Sequence, residues 1–201
     1  MRMRVSSLLI AVTMLVAAPV AIAAAPGSAA PAFTITDTTG KAVRLADYRG
    51  KYVVLEWTNP ECPFVRKHYT SGNMQGLQKE WGAKEVVWLA VNSTNESHPD
   101  FKTPVEMGSW IRAQGAAPAA TLLDATSATG RAYGARTTPQ MFVIDPAGSI
   151  IYAGAIDDRR SANPADAKIA NNYVRAALTE ALAGKPVTVA GTTPYGCSVK
   201  Y

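Results

Sequence analysis

Lys51-Tyr-Val-Val-Leu-Glu-Trp-Thr-Asn-Pro-Glu-Cys-Pro-Phe-Val65 is the stretch on which the fold turns. Tyr52 to Trp57 is apolar on consecutive residues, interrupted only by Glu56, as in a central strand buried on both faces. Thr58-Asn-Pro-Glu61 is a polar turn, and Cys62 follows where the pattern becomes helical. That position matters because the thiolate, not the thiol, is the nucleophile, and a helix N-terminus stabilises the anion. A cysteine is also a small hydrophobe and is often buried for packing alone. The polar turn before Cys62 argues instead for partial exposure. The chain has only two cysteines. The second, Cys197, lies in Pro194-Tyr-Gly-Cys-Ser-Val-Lys-Tyr201, so it alone could resolve a bond made at Cys62.

Upstream of this stretch, Phe33 to Thr36 alternates as a half-buried strand does. Thr39-Gly40 then turns the chain into a second short strand, Lys41 to Leu45. Downstream, a helix from Cys62 is interrupted at Gly72, and Met74, Leu77 and Trp81 resume at helical spacing. Glu85 to Val91 reads as a second fully buried strand. Thr103 to Gln114 reads as a helix with Thr103 as its N-cap. A short strand over 121–124 and a short helix over 127–133 come next. The runs 140–145 and 149–153, joined by Pro146-Ala-Gly148, form a hairpin signal. Asn163 before Pro164 starts a last helix, expected to run to Gly184 with Ile169, Tyr173 and Ala177 on its buried stripe.

The first 25 residues read as an export signal. Arg2 and Arg4 form a positive start, Leu8 to Val16 an apolar core, and Ala21-Ile22-Ala23 a small-x-small cleavage site near Ala23. An uncleaved anchor is the competing reading, and Pro19 with the alanine-rich exit favours cleavage. Residues 26–31 read as a linker, 32–184 as one domain, and 185–201 as a tail carrying Cys197. The formal charge of +5 falls by two when Arg2 and Arg4 leave with the signal. No run of lysine or arginine remains, which argues against nucleic acid as a partner. No later apolar stretch is long enough to span a membrane. A periplasmic or secreted location is therefore expected, an oxidising setting in which disulfides persist. His68 and His98 stand far apart without clustered thiols or carboxylates, so no metal is expected, and no motif calls for a cofactor. His68 is expected on a solvated helix face.

Taken together, these elements resemble the thioredoxin fold. A strand leads to a cysteine at a helix start, followed by a crossover, Thr138-Pro139 opening a hairpin, and a final helix. The N-terminal strand pair followed by Asp47-Tyr-Arg-Gly-Lys51 is similar to the redoxin branch, the alkyl hydroperoxide reductase/thiol-specific antioxidant proteins. The resemblance spans Ala32 to Gly184. It implies an α/β fold with a mixed central sheet, helices on both faces and an N-terminal β-hairpin extension. The departures carry information. A thioredoxin has Cys-x-x-Cys, whereas Cys62-Pro-Phe-Val65 keeps only the first cysteine. The peroxiredoxin pattern Pro-x-x-x-Thr-x-x-Cys fails, with Asn59 in place of Thr and Leu55 in place of Pro. The chain thus looks like the peroxiredoxin-like group that retains only the first thioredoxin cysteine.

The resemblance also suggests roles. Glu56 matches the buried acid that relays protons in thioredoxins, with its pKa raised by desolvation. A strand-end glutamate facing solvent is the alternative. Pro139 matches a cis-proline beside the active cysteine, where the Thr138 backbone would pair with a bound substrate; an ordinary trans proline opening a strand is the alternative. Pro194 and Gly196 let the tail bend just before Cys197, and a Cys62–Cys197 disulfide is expected in the oxidised protein. Closing so long a loop is worth about 5 kcal/mol in the chain-entropy model. Three functions remain open. The first is an exported thiol–disulfide oxidoreductase with Cys62 as nucleophile and Cys197 as resolving cysteine. The second is a thiol peroxidase using the same pair. The third is a non-catalytic thioredoxin-fold module with a structural disulfide. The partners implied are a protein or small-molecule thiol, disulfide or hydroperoxide, and an electron donor the sequence does not name.

Overall fold

The computed structural model describes residues 24–201. The expected signal core and its cleavage point at Ala23 lie outside the described residues. The chain runs β1 (Thr34–Thr36), β2 (Ala42–Arg44), β3 (Val53–Trp57), α1 (Pro63–Thr70), α2 (Asn73–Gly82), β4 (Val87–Asn92) and α3 (Pro104–Ala113). It continues with β5 (Ala120–Leu123), α4 (Ala128–Tyr133), β6 (Thr137–Thr138), β7 (Gln140–Ile144), β8 (Ile150–Gly154), α5 (Tyr173–Leu182) and β9 (Cys197–Ser198).

Five strands make the central sheet in the order β5-β4-β3-β7-β8. β3 lies in the middle, parallel to β4 and antiparallel to β7. All five of its residues are buried, as its unbroken apolar run requires. Side chains alternate across the sheet. Val54 packs with Val65 and Tyr69 of α1, Leu77 of α2 and Leu178 of α5. Val53, Leu55 and Trp57 face the other way, onto Ile35 and Val43 of the β1–β2 hairpin and Tyr133 of α4. The sheet is therefore mixed, with helices on both faces and an N-terminal hairpin, as the sequence predicts.

Local signals explain the helix ends. Thr103 and Glu106 form a reciprocal capping box at the start of α3, each satisfying a backbone N–H of the other. Gly72, in the left-handed region at φ 75°, separates α1 from α2.

The last helix departs from expectation. Asn163 does cap Pro164, but only a 3-10 turn over Pro164–Lys168 follows. Asn171 then donates its backbone N–H and side-chain amide to Asp158. Asn172 accepts from the Arg175 N–H at 2.9 Å and starts α5 afresh. Asparagine side chains compete with helical hydrogen bonding, and two in succession break the helix here. Ile169, expected on the buried stripe, is 67% exposed. Residues 26–31 are also more firmly held than a linker: Gly27 and Ala30 donate backbone N–H groups to Ile150 and Gly148, at 2.8 and 2.9 Å.

The broken helix gives a direct contrast. I169A should change stability by no more than about 0.5 kcal/mol, whereas L178A, in the core, should cost about 2–5 kcal/mol. Urea denaturation of the two variants checks this. A large loss in I169A would restore the continuous helix.

Candidate active site

Cys62 caps the N-terminus of α1 with extended backbone, immediately before Pro63 at the first helical position. The turn that leads into it is closed by the Cys62 N–H donating to the Asn59 carbonyl at 3.1 Å. The Cys62 thiol donates to the carbonyl of Thr138 at 3.0 Å. The Thr138–Pro139 bond is cis. Thr138 lies on β6, and β6 pairs antiparallel with β9 of the tail, so that Thr138 stands opposite Cys197. Cys197 packs against the hydrophobic cluster that contains Cys62. Both thiols are free in this structure. Burial, the hydrogen bond to Cys62 and the charge of Cys62 push the Cys197 thiol up to about 12. One residue, Thr138, thus stands beside both cysteines, which are far apart in sequence.

Partial exposure of Cys62 is not observed: the residue is only 2% exposed. The polar turn before it is a poor guide because the tail and the Thr138 segment lie against its thiol. Gly196 allows the tail to come that close. It sits at φ 139°, and a Cβ there would stand 2.0 Å from the Thr138 carbonyl oxygen. Beyond β9, Val199 donates to the Arg136 carbonyl at 3.0 Å, and the Tyr201 hydroxyl donates to the Ala135 carbonyl at 2.5 Å. The edge of Thr138, where the family resemblance implies that a substrate pairs, is occupied by this chain's own β9.

A second group of residues carries no signal in the sequence. Lys67, buried on α1, pairs with the Asp157 carboxylate at 3.2 Å and donates to the Arg159 carbonyl at 2.6 Å. Tyr195, two residues before Cys197, donates its hydroxyl to Asp157 and accepts from Lys67 at 3.2 Å. Its ring meets Phe64 edge-on with centroids 5.8 Å apart. His68 belongs to the same group and is wholly buried, not on a solvated face. Its Nδ1 lies 3.0 Å from Asn73 Nδ2, and its Nε2 lies 3.9 Å from Asp157. Burial lowers its pKa to about 4, so the ring is neutral near pH 7.

The match to a known family follows this geometry. Residues 26–153 fit the model of the AhpC/TSA family, well over half of the chain. The chain belongs to that family. A thiol-disulfide oxidoreductase ResA of Geobacillus kaustophilus is 41% identical over 63 residues, which cover 28% of this chain and 36% of that protein. The aligned part is thus about a third of that relative's length. Among solved structures, an uncharacterized conserved protein of Geobacillus kaustophilus superposes with a TM-score of 0.76 at 28% identity, covering 89% of this chain and 93% of that one. The thioredoxin domain of a thiol-disulfide oxidoreductase of Bacteroides vulgatus gives a TM-score of 0.52 at 24% identity, covering 73% of this chain and 99% of that one. That last likeness shows the thioredoxin fold.

In this AhpC/TSA protein Glu56 is fully buried, on the Cys62 side of β3. It accepts from the Tyr69 hydroxyl at 2.8 Å, Trp88 Nε1 at 2.8 Å and Gln78 Nε2 at 3.5 Å. The Cys62 thiol donates to the Thr138 carbonyl, not to Glu56. Burial raises the Glu56 pKa, and the donors from Trp88, Tyr69, Thr58 and Gln78 offset part of that rise. The remaining predicted residues, Cys62, Cys197, Thr138 and Pro139, come together in space. Lys67, Asp157 and Tyr195 are the neighbours that sequence reasoning missed.

Glu56 makes stability depend on pH in a definite sense. A carboxyl whose pKa is higher in the folded state holds its proton longer there than in the unfolded chain. Stability is therefore full below the ordinary value of 4.5 and falls as pH rises toward the folded value, by at most about 1.4 kcal/mol per pH unit. His68, with its pKa lowered, acts in the opposite sense below about 6.5. Comparing E56Q with the parent isolates the glutamate. Urea denaturation at pH 5 and pH 8 should show E56Q gaining on the parent as pH rises. A difference that does not change with pH would contradict the raised pKa.

Proposed function

We propose that this chain is an exported thiol–disulfide oxidoreductase with Cys62 as nucleophile and Cys197 as resolving cysteine. The observation that carries the reading is the pairing of β9 with β6, which sets Cys197 opposite the residue whose carbonyl holds the Cys62 thiol. ResA, the partial relative, bears the name of a thiol-disulfide oxidoreductase. Export rests on the signal pattern of residues 1–25. Among the described residues no helix is long and apolar enough to cross a membrane.

In the reaction, the Cys62 thiolate attacks one sulfur of a substrate disulfide. A Cys62–substrate mixed disulfide forms, and the other substrate sulfur leaves as a thiol after taking a proton. Cys197, deprotonated, attacks the Cys62 sulfur, releases the second substrate thiol and closes the Cys62–Cys197 disulfide. The substrate disulfide is reduced and the protein dithiol oxidised. An external dithiol, the electron donor, restores the protein. The high pKa of Cys197 makes it a good nucleophile once deprotonated, so a base near the pair is required. Glu56 is assigned that proton-handling role on its burial, its raised pKa and its place on the same face of β3.

The near-complete burial of Cys62 supports one competing reaction, because a small oxidant reaches a covered sulfur more easily than a protein does. As a thiol peroxidase, Cys62 would take one oxygen from a hydroperoxide to become a sulfenic acid, releasing an alcohol or water. Cys197 would then condense with it and expel water.

Two assays separate these readings. Glutathione disulfide or insulin should be turned over by the parent, while C62S falls to the uncatalysed background and C197S stops at the mixed disulfide. Rapid, Cys62-dependent hydroperoxide consumption with no disulfide exchange would select the peroxidase. Inertness in both assays would leave a non-catalytic module.

A further inference from the structure

The tail that carries Cys197 is tied to the helix that carries Cys62 by one buried polar cluster. Tyr195 is 7% exposed. Its hydroxyl lies between Lys67 of α1 and Asp157 beyond β8, donating to the carboxylate and accepting from the ammonium group. Both charged side chains are almost wholly inaccessible to solvent. Such a pair is expensive to desolvate and is held only where further hydrogen bonds satisfy it. Here those bonds come from the tail and from the backbone of Arg159. Phe64, two residues after Cys62, supplies the apolar side of the contact. Gly196 then crosses Thr138 too closely for any side chain, and Cys197 follows in register.

We infer that Tyr195 is a positioning residue for the resolving step: through its hydroxyl, Lys67 and Asp157 dock the tail so that Cys197 faces Cys62. This rests on the reading of Cys62 and Cys197 as nucleophile and resolving cysteine. Among the described residues none of the cluster's hydrogen bonds reaches either sulfur, so its contribution is the fraction of time the tail is seated. That fraction matters most after capture, when a substrate sulfur on Cys62 competes with Cys197 for the same space. Burial and the Asp157 carboxylate both raise the Tyr195 pKa, which keeps the hydroxyl a neutral donor.

The resolving step can be read by itself. Starting from protein carrying glutathione on Cys62, Cys197 attacks the Cys62 sulfur, the internal disulfide forms and one glutathione thiol is released. The hydroxyl makes two hydrogen bonds, both to charged partners, and losing even one of them is worth a factor of at least about ten in docking. Y195F retains the ring against Phe64 and loses only the hydroxyl. Glutathione release from Y195F should be at least about tenfold slower than from the parent. Capture of glutathione disulfide at Cys62 is measured in a C197S background, where no resolution follows. Adding Y195F there should leave capture as fast or make it faster, since a looser tail uncovers Cys62.

A purely structural role would slow both steps together or neither. Glutathione release within twofold of the parent, equal slowing of capture and release, or failure of Y195F to fold would each overturn the inference. If the parent itself releases no glutathione, the resolving pair is at fault, and that failure is seen before any variant is compared.

Discussion

The carbonyl of Thr138 is the point on which the site depends. It accepts the Cys62 thiol at 3.0 Å, and its residue pairs with Cys197 across two short antiparallel strands. It also lies so close to Gly196 that no Cβ fits there. Two cysteines far apart in sequence therefore meet at one residue, which accepts the thiol of the first and pairs through its backbone strand with the second. The central sheet makes this possible. β3 and β7 are adjacent and antiparallel, so the end of β3 that leads to Cys62 lies beside the start of β7, where β6 joins.

The tail is an integral part of this arrangement. It covers Cys62, which is why that sulfur is buried despite its polar surroundings in sequence. It also fills the edge of Thr138 that would otherwise be open to an extended partner, and an unpaired edge readily accepts a foreign strand. Holding the tail takes a buried ion pair, Lys67 with Asp157, whose desolvation is offset only because Tyr195 and the Arg159 backbone complete its hydrogen bonds. Removing one member would leave a charge without its partner in the core.

Much of the fold is legible in the residues themselves. The unbroken apolar runs at β3 and β4, the turn at Gly72, the N-cap at Thr103 and the hairpin after Pro139 are local patterns, and local physics decides them. The N-terminal hairpin and the cis bond before Pro139 follow the family pattern. The long final helix does not survive, because Asn171 and Asn172 form bonds of their own, and those partners depend on where Asp158 lies. The buried cluster is illegible for a similar reason. Lys67, Asp157 and Tyr195 are separated by long stretches of chain, and each looks like an ordinary surface residue until the fold brings them together. His68 misleads in the same way, since helix spacing alone says nothing of what packs over it.

The central claim is that Cys62 and Cys197 form a working redox pair. The most direct measurement is non-reducing peptide mapping of the protein equilibrated with oxidised glutathione, compared with the same digest after reduction. The account predicts one cross-linked peptide joining the segment around Cys62 to the C-terminal segment around Cys197, which disappears on reduction. Finding the two cysteines in separate peptides, each free or carrying glutathione, would contradict it.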